Sequence, residues 1–92
     1  MEQKRGRTPL MSAAFKGETQ SVRQLIEAGA DVNAKTNIDV GDRTPLMVAS
    51  EAGREEVVKL LLEAGANIED YDDNGSTALK YAVHFGHFKV AR

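Results

Sequence analysis

The segment Thr8-Pro9-Leu10-Met11 returns as Thr44-Pro45-Leu46-Met47 and again as Thr77-Ala78-Leu79-Lys80, at intervals of 36 and 33 residues. A chain that repeats itself at this period is built from one supersecondary unit, and each unit buries its apolar face only by stacking on the next. Gly17, Gly53 and Gly86 follow at the same offsets, and Gly29-Ala30-Asp31 returns as Gly65-Ala66-Asn67. All landmarks up to Val32 and Ile68 shift together. The three surplus residues of the first interval therefore fall between about Ala34 and Arg43.

Within a unit the pattern reads helix, turn, helix, hairpin. Thr8, Thr44 and Thr77 are placed as N-caps, where a hydroxyl accepts from an amide that has no partner inside the helix. Pro9 and Pro45 fit the first helical position, where a missing N–H costs nothing. Gly17, Gly53 and Gly86 suit the left-handed conformation that ends the first helix. A second helix is predicted over roughly 18–28 and 54–64, with Val58, Leu61 and Leu62 on one face. Gly29 and Gly65 stop it, and Asp/Asn-rich segments lead to the next threonine.

The residues Gly6-x-Thr8-Pro9-Leu10, Ala13-Ala14-x-x-Gly17, Val58-x-Leu60-Leu61-Leu62 and Gly29-Ala30-Asp31-Val32-Asn33-Ala34 closely resemble the ankyrin repeat, over nearly the whole chain from Gly6. The resemblance implies an all-α repeat solenoid of helix–turn–helix units joined by β-hairpin-like fingers. It divides a single domain, 1–92, into a first repeat at about 6–40, a second at 41–73 and a partial third at 74–92. Three departures stand out. Met11, Met47 and Lys80 occupy positions where the family often has His. The first finger is three residues too long. Gly41-Asp42 inverts the usual order, in which Gly directly precedes Arg43.

The ends of the stack differ. Where the second repeat has Val48, Val57 and Leu60, the first has Ser12, Ser21 and Gln24. A terminal repeat needs a polar outer face, so the first reads as an N-terminal cap. At the other end Val90-Ala91-Arg92 aligns with Val57-Val58-Lys59, just short of Leu60-Leu61-Leu62. The expectation is a fragment of a longer array or an engineered chain without a natural ligand. Val83, Phe88 and Val90 are then expected to form an apolar patch through which the chain makes a homo-oligomer.

Composition narrows the function. Twelve basic against 14 acidic residues, a net charge of −2, argue against a general electrostatic grip on nucleic acid. A nucleic-acid role would fall to Lys4, Arg5 and Arg7 and show steep salt dependence. There is no cysteine, which removes thiolate metal sites, disulfides and a Cys nucleophile. With no signal peptide visible and no apolar run of about 20 residues, no membrane role is expected, and the chain is placed in the cytoplasm or elsewhere inside the cell.

Possible chemical motifs have simpler readings. Asp70-x-Asp72-x-Asn74-Gly75 matches the first half of a calcium loop, but its twelfth position is Tyr81 rather than a bidentate Glu. A tight turn at Asn74-Gly75 accounts for it. His84 and His87 straddle the helix-ending Gly86, with no third ligand to complete a metal site. Asn74-Gly75-Ser76 is a formal glycosylation sequon. No nucleophile elbow or phosphate loop is present, so neither enzymatic activity nor a metal or other cofactor is expected. The resemblance marks Asn33 as a candidate for hydroxylation; from chemistry alone its amide is expected to bond neighbouring backbone and fix its own hairpin.

The resemblance implies binding of another protein through finger tips and the concave helix face. By position these are Arg7, Phe15 and Lys16 in the first repeat, then Asn37, Ile38, Asp39 and Val40 on the long finger, with Arg43 and Glu51. The third repeat offers Tyr71, Asp73, Asn74, Ser76, His84 and Phe85. Phe15, Phe85, Ile38 and Val40 are the apolar anchors of this set, the kind of residue that dominates binding energy. Charge grades along the stack, from Lys4, Arg5, Arg7 and Lys16 to Glu69, Asp70, Asp72 and Asp73. A partner of opposite polarity would be steered into one orientation.

Overall fold

A computed structural model describes residues 8–36, 41–84 and 86. It contains α1 (Pro9–Lys16), α2 (Thr19–Glu27), α3 (Pro45–Ala52), α4 (Glu55–Glu63) and α5 (Ala78–His84). Helices α1, α3 and α5 pack side by side in one row, and α2 and α4 form a second row behind them. This is the all-α repeat solenoid that the sequence predicts. Among the described residues there is no β-strand, only an antiparallel bridge between Tyr71 and Thr77.

The repeated residues act as the pattern requires. The hydroxyls of Thr8, Thr44 and Thr77 accept from the amides of Met11, Met47 and Lys80 at 3.2, 3.3 and 3.3 Å, a cap contributing about 1 kcal/mol each. The second helices run one residue shorter at each end than predicted. They close in a Schellman arrangement: the amides of Ala30 and Ala66 reach back to the carbonyls of Leu25 and Leu61. Gly17 (φ 73°) ends α1, and its missing Cβ also makes room for the side chain of Arg54, whose Nε donates to the Phe15 carbonyl at 2.9 Å. That contact ties the end of α1 to the start of α4.

The core follows the rows. Leu10, Ala14, Leu46, Met47 and Ala49 come from the first helices, and Val22, Val57 and Leu61 from the second; all are buried. The alanines allow close approach within the first row. Leu62 departs from the predicted face and is 39 % exposed, while Val58 and Leu61 are buried. It borders a hollow between α4 and α5 together with Ile68 and Leu79.

The long first finger keeps the same base as the second. In the second, Asp72 N–H donates to the Ser76 carbonyl, Gly75 N–H to the Asp72 carbonyl, and Ser76 N–H to Asp72 Oδ1. In the first, Thr36 N–H donates to the Arg43 carbonyl, Asp42 N–H to the Thr36 carbonyl, and Arg43 N–H to Thr36 Oγ1. Thr36 thus stands for Asp72, and the side-chain bond spans seven residues instead of four. The surplus residues therefore fall in sequence between Thr36 and Asp42.

The inverted Gly41-Asp42 pair also has a cause. Asp42 takes the left-handed conformation (φ 62°) that Gly75 takes in the second finger (φ 75°). Gly41 is held by a different need. Its carbonyl accepts from the Asp73 amide at 3.0 Å, and a Cβ there would collide with the Asp73 carboxylate. Asp tolerates left-handed backbone better than most residues but not as well as Gly. Asp42→Gly is expected to raise stability by about 0.5 kcal/mol, and Asp42→Val to lower it by about 2 kcal/mol; urea unfolding midpoints check both.

Candidate functional site

The helices of the first row carry equivalent positions along the stack. Phe15 on α1, Glu51 on α3 and His84 on α5 stand in register, one per unit. Phe15 is 41 % exposed, and Lys16 beside it and His84 are also exposed. On the second finger Tyr71 is 66 % exposed, with Asp73 and Asn74 exposed near it and Ser76 half-buried. These side chains make up the described part of the expected binding face. Arg7, Asn37, Ile38, Asp39, Val40 and Phe85 lie outside the described residues, as do Lys4, Arg5 and His87.

Arg43 and Glu51, expected to meet a partner, are engaged within the molecule. The Arg43 guanidinium pairs with the Glu51 carboxylate and lies over the Tyr81 ring, 4.9 Å from its centroid. Arg43 Nε is buried without a hydrogen-bond acceptor, so the face of the ring is its compensation. Tyr81 in turn donates its hydroxyl to Asp72 Oδ2. The chain Glu51–Arg43–Tyr81–Asp72 therefore joins α3, the base of the first finger, α5 and the second finger.

Asp72 is the pivot of this network. It is 2 % exposed, and its Oδ1 accepts from the amides of Asn74 and Ser76, both at 2.9 Å. Burial alone would push its carboxyl up. The Tyr81 hydroxyl, the Ser76 and Asn74 amides and the Arg43 charge together outweigh burial and hold it below its ordinary value of 3.8. Burial and the same hydrogen bond, now seen from the phenol, push Tyr81 up to about 12. The carboxylate that sequence reads as one ligand of a half calcium loop is spent on backbone amides and a phenol. Among the described residues no three His, Asp or Glu side chains gather as a metal would need.

A second set of contacts joins the first two units at the finger side. The expectation that Asn33 fixes its own hairpin is corrected by its partners. Its Nδ2 donates to the Gly65 carbonyl at 3.2 Å, and its Oδ1 accepts from the Asn67 amide at 2.8 Å. The local turn is held instead by Asp31 Oδ1, which accepts from the Asn33 amide at 2.9 Å. Lys35 and Asp70 approach to 3.8 Å across the same junction. Sequence position alone did not reveal these links, because each partner lies more than 30 residues away.

On α5 Val83 is about half exposed, whereas Phe88 and Val90 lie outside the described residues. Ile68, Leu79 and Leu62 are also exposed, none of them singled out by the sequence as surface. No described helix is long and apolar enough to cross a membrane.

Comparison with known families agrees with this architecture. The family model described as ankyrin repeats (3 copies) matches residues 35–92, and that described as ankyrin repeat matches residues 5–37. No curated protein matches the chain. Ankyrin repeats generally mediate protein–protein interaction. The repeat period, the capped first helices, the paired rows and these matches over nearly the full length establish that the chain belongs to the ankyrin repeat family.

Proposed function

We propose that this chain is a non-enzymatic adaptor that binds a partner protein along its first-helix row and finger tips. The observation that carries this reading is the exposure of two aromatic rings, Phe15 at 41 % and Tyr71 at 66 %, at opposite ends of the same set of finger and first-helix positions. Aromatic side chains on a rigid scaffold supply contact area at little entropic cost, and they dominate binding energy when a partner buries them. Lys16, Asp73, Asn74, Ser76 and His84 supply polar contacts around them. Arg43 and Glu51 hold the first finger to α3 and α5, so they present the face rather than make its outermost contacts. We place this activity inside the cell, a reading supported by the cysteine-free composition.

The test is site-specific photo-crosslinking from positions 15 and 71, with Gln20 on the exposed side of α2 as control. The same protein is expected to be captured from 15 and 71 but not from 20. Against that protein, Phe15→Ala and Tyr71→Ala are each expected to weaken binding about tenfold or more, equivalent to about 1.4 kcal/mol. Thermal stability should barely move, because both rings are exposed. Equal capture from all three positions, or unchanged affinity in both variants, overturns the proposed face.

A further inference from the structure

The described asparagines are Asn33, Asn67 and Asn74, and the first two have their side-chain amides in use. Asn33 bridges to Gly65 and Asn67. Asn67 donates to Asp70 Oδ1 at 3.1 Å and accepts from the Glu69 amide at 3.0 Å. Asn74 stands exposed in the turn of the second finger, and its side-chain amide makes no hydrogen bond among the described residues. The residues that follow also differ: Ala34, Ile68 and Gly75. Gly75 has no side chain to shield its backbone nitrogen. No described atom beyond its chain neighbours lies within 4 Å of where a Cβ would stand.

We propose that Asn74–Gly75 is a site of spontaneous covalent modification, at which the side-chain amide is lost as ammonia and the backbone is rebuilt as isoaspartate. The Gly75 nitrogen adds to Asn74 Cγ, and its proton leaves with Nδ2 as ammonia. One C–N bond forms and one breaks, giving a cyclic imide. Water then opens the ring. Attack at Cγ restores the ordinary backbone, with aspartate in place of asparagine. Attack at the Asn74 backbone carbonyl carbon leaves the chain joined through the side chain, with the α-carboxylate free. Water is the only co-reactant, and the loss of ammonia makes the change one-way. The turn controls the rate. Gly75 N–H is held by the Asp72 carbonyl at 2.9 Å, and Asp72 Oδ1 holds the amides on either side of it. The nitrogen therefore reacts only while the turn is open, and the rate follows the fraction of time spent open. The product in turn loosens the finger. Isoaspartate puts one extra backbone atom inside a turn closed by hydrogen bonds between Asp72 and residues 74–76. It also sets a new negative charge beside Asp72 and Asp73, where like charges repel.

The experiment is incubation of the folded 92-residue chain for weeks at physiological pH and temperature, followed by peptide mass spectrometry. The expected result is a gain of one mass unit at Asn74, as two products separable by chromatography, and none at Asn33 or Asn67. Tyr81→Phe, which frees Asp72 from one partner, is expected to speed the reaction about fivefold, the factor for one hydrogen bond. Asp72→Ala is expected to speed it further, and Tyr81→Phe suffices if that variant unfolds. The purified isoaspartyl form is expected to unfold at lower urea than the parent. Asn74→Asp, which carries the charge on an ordinary backbone, should stay closer to the parent. No gain at Asn74, an equal gain at Asn33 or Asn67, or a rate unchanged by Tyr81→Phe overturns the inference. An isoaspartyl form as stable as the parent overturns it too. The reaction needs no partner, so its outcome is independent of crosslinking from positions 15 and 71.

Discussion

Replacing Asp72 by alanine is expected to lower the unfolding free energy by about 3 kcal/mol, more than any other single polar substitution proposed for this chain. The carboxylate is buried and accepts from two backbone amides and a phenol, with the Arg43 charge close by. Alanine leaves the two amides and the phenol without their acceptor at a largely buried site. Tyr81→Phe removes only one of those bonds and should cost about 1 kcal/mol. Urea unfolding gives both values, and hydrogen exchange should show the loss first in the amides of α5. The sign of the pH dependence follows from the direction of the shift. The folded carboxyl lies below its ordinary value, so its contribution is fully present above about 4 and is lost as pH falls through the depressed value. The penalty of Asp72→Ala should therefore be largest near neutrality and shrink in acid. A penalty that stays constant down to acid unfolding would mean that the ionised carboxylate is not what stabilises the finger. At the alkaline side the raised Tyr81 works the other way. Its contribution is complete below its ordinary 10 and is lost as pH rises toward about 12.

Leu61→Ala is expected to cost about 3 kcal/mol, within the range for truncating a fully buried leucine. Leu61 is completely buried in a core cluster that runs from the first unit to Ala78 of the third. Its position in the middle unit adds a consequence that a globular domain would not show. In a stack each unit is stabilised by its neighbours, so loosening the middle one weakens both junctions. The equivalent change in the first unit, Leu25→Ala, is expected to cost less, since Leu25 is only partly buried. Paired denaturation curves for the two variants check this. Equal penalties would mean that burial and position in the middle unit do not set the cost.

Local devices were legible in the sequence; contacts between units were not. Thr8, Thr44 and Thr77 announce helix starts because a cap is made within three residues. Gly17, Gly53 and Gly86 announce helix ends for the same reason. Asn33 was misassigned because its own turn offers it plausible partners, and only the stacking distance brings Gly65 and Asn67 nearer. Asp72 looked like a turn former, which it is; that it also anchors α5 depends on where Tyr81 arrives after the helix docks. Leu62 belongs to an apolar run that reads as core, yet it is exposed beside the hollow between α4 and α5. Of the candidate binding residues, sequence register located Phe15, Tyr71 and His84 on the surface. It could not tell that Arg43 and Glu51 neutralise each other.

The closure at the base of the first finger has a practical meaning. Thr36 and Arg43 clasp the loop by the same bonds that Asp72 and Ser76 use for a shorter one. Next to the clasp, Gly41 is tied to the second finger through the Asp73 amide. Lengthening such a loop carries an entropic penalty that grows only with the logarithm of its length, about 0.6 kcal/mol per doubling. Residues inserted between Thr36 and Gly41 are therefore expected to leave both the clasp and the Gly41–Asp73 link in place, so the stack should keep its fold while it gains a new recognition sequence.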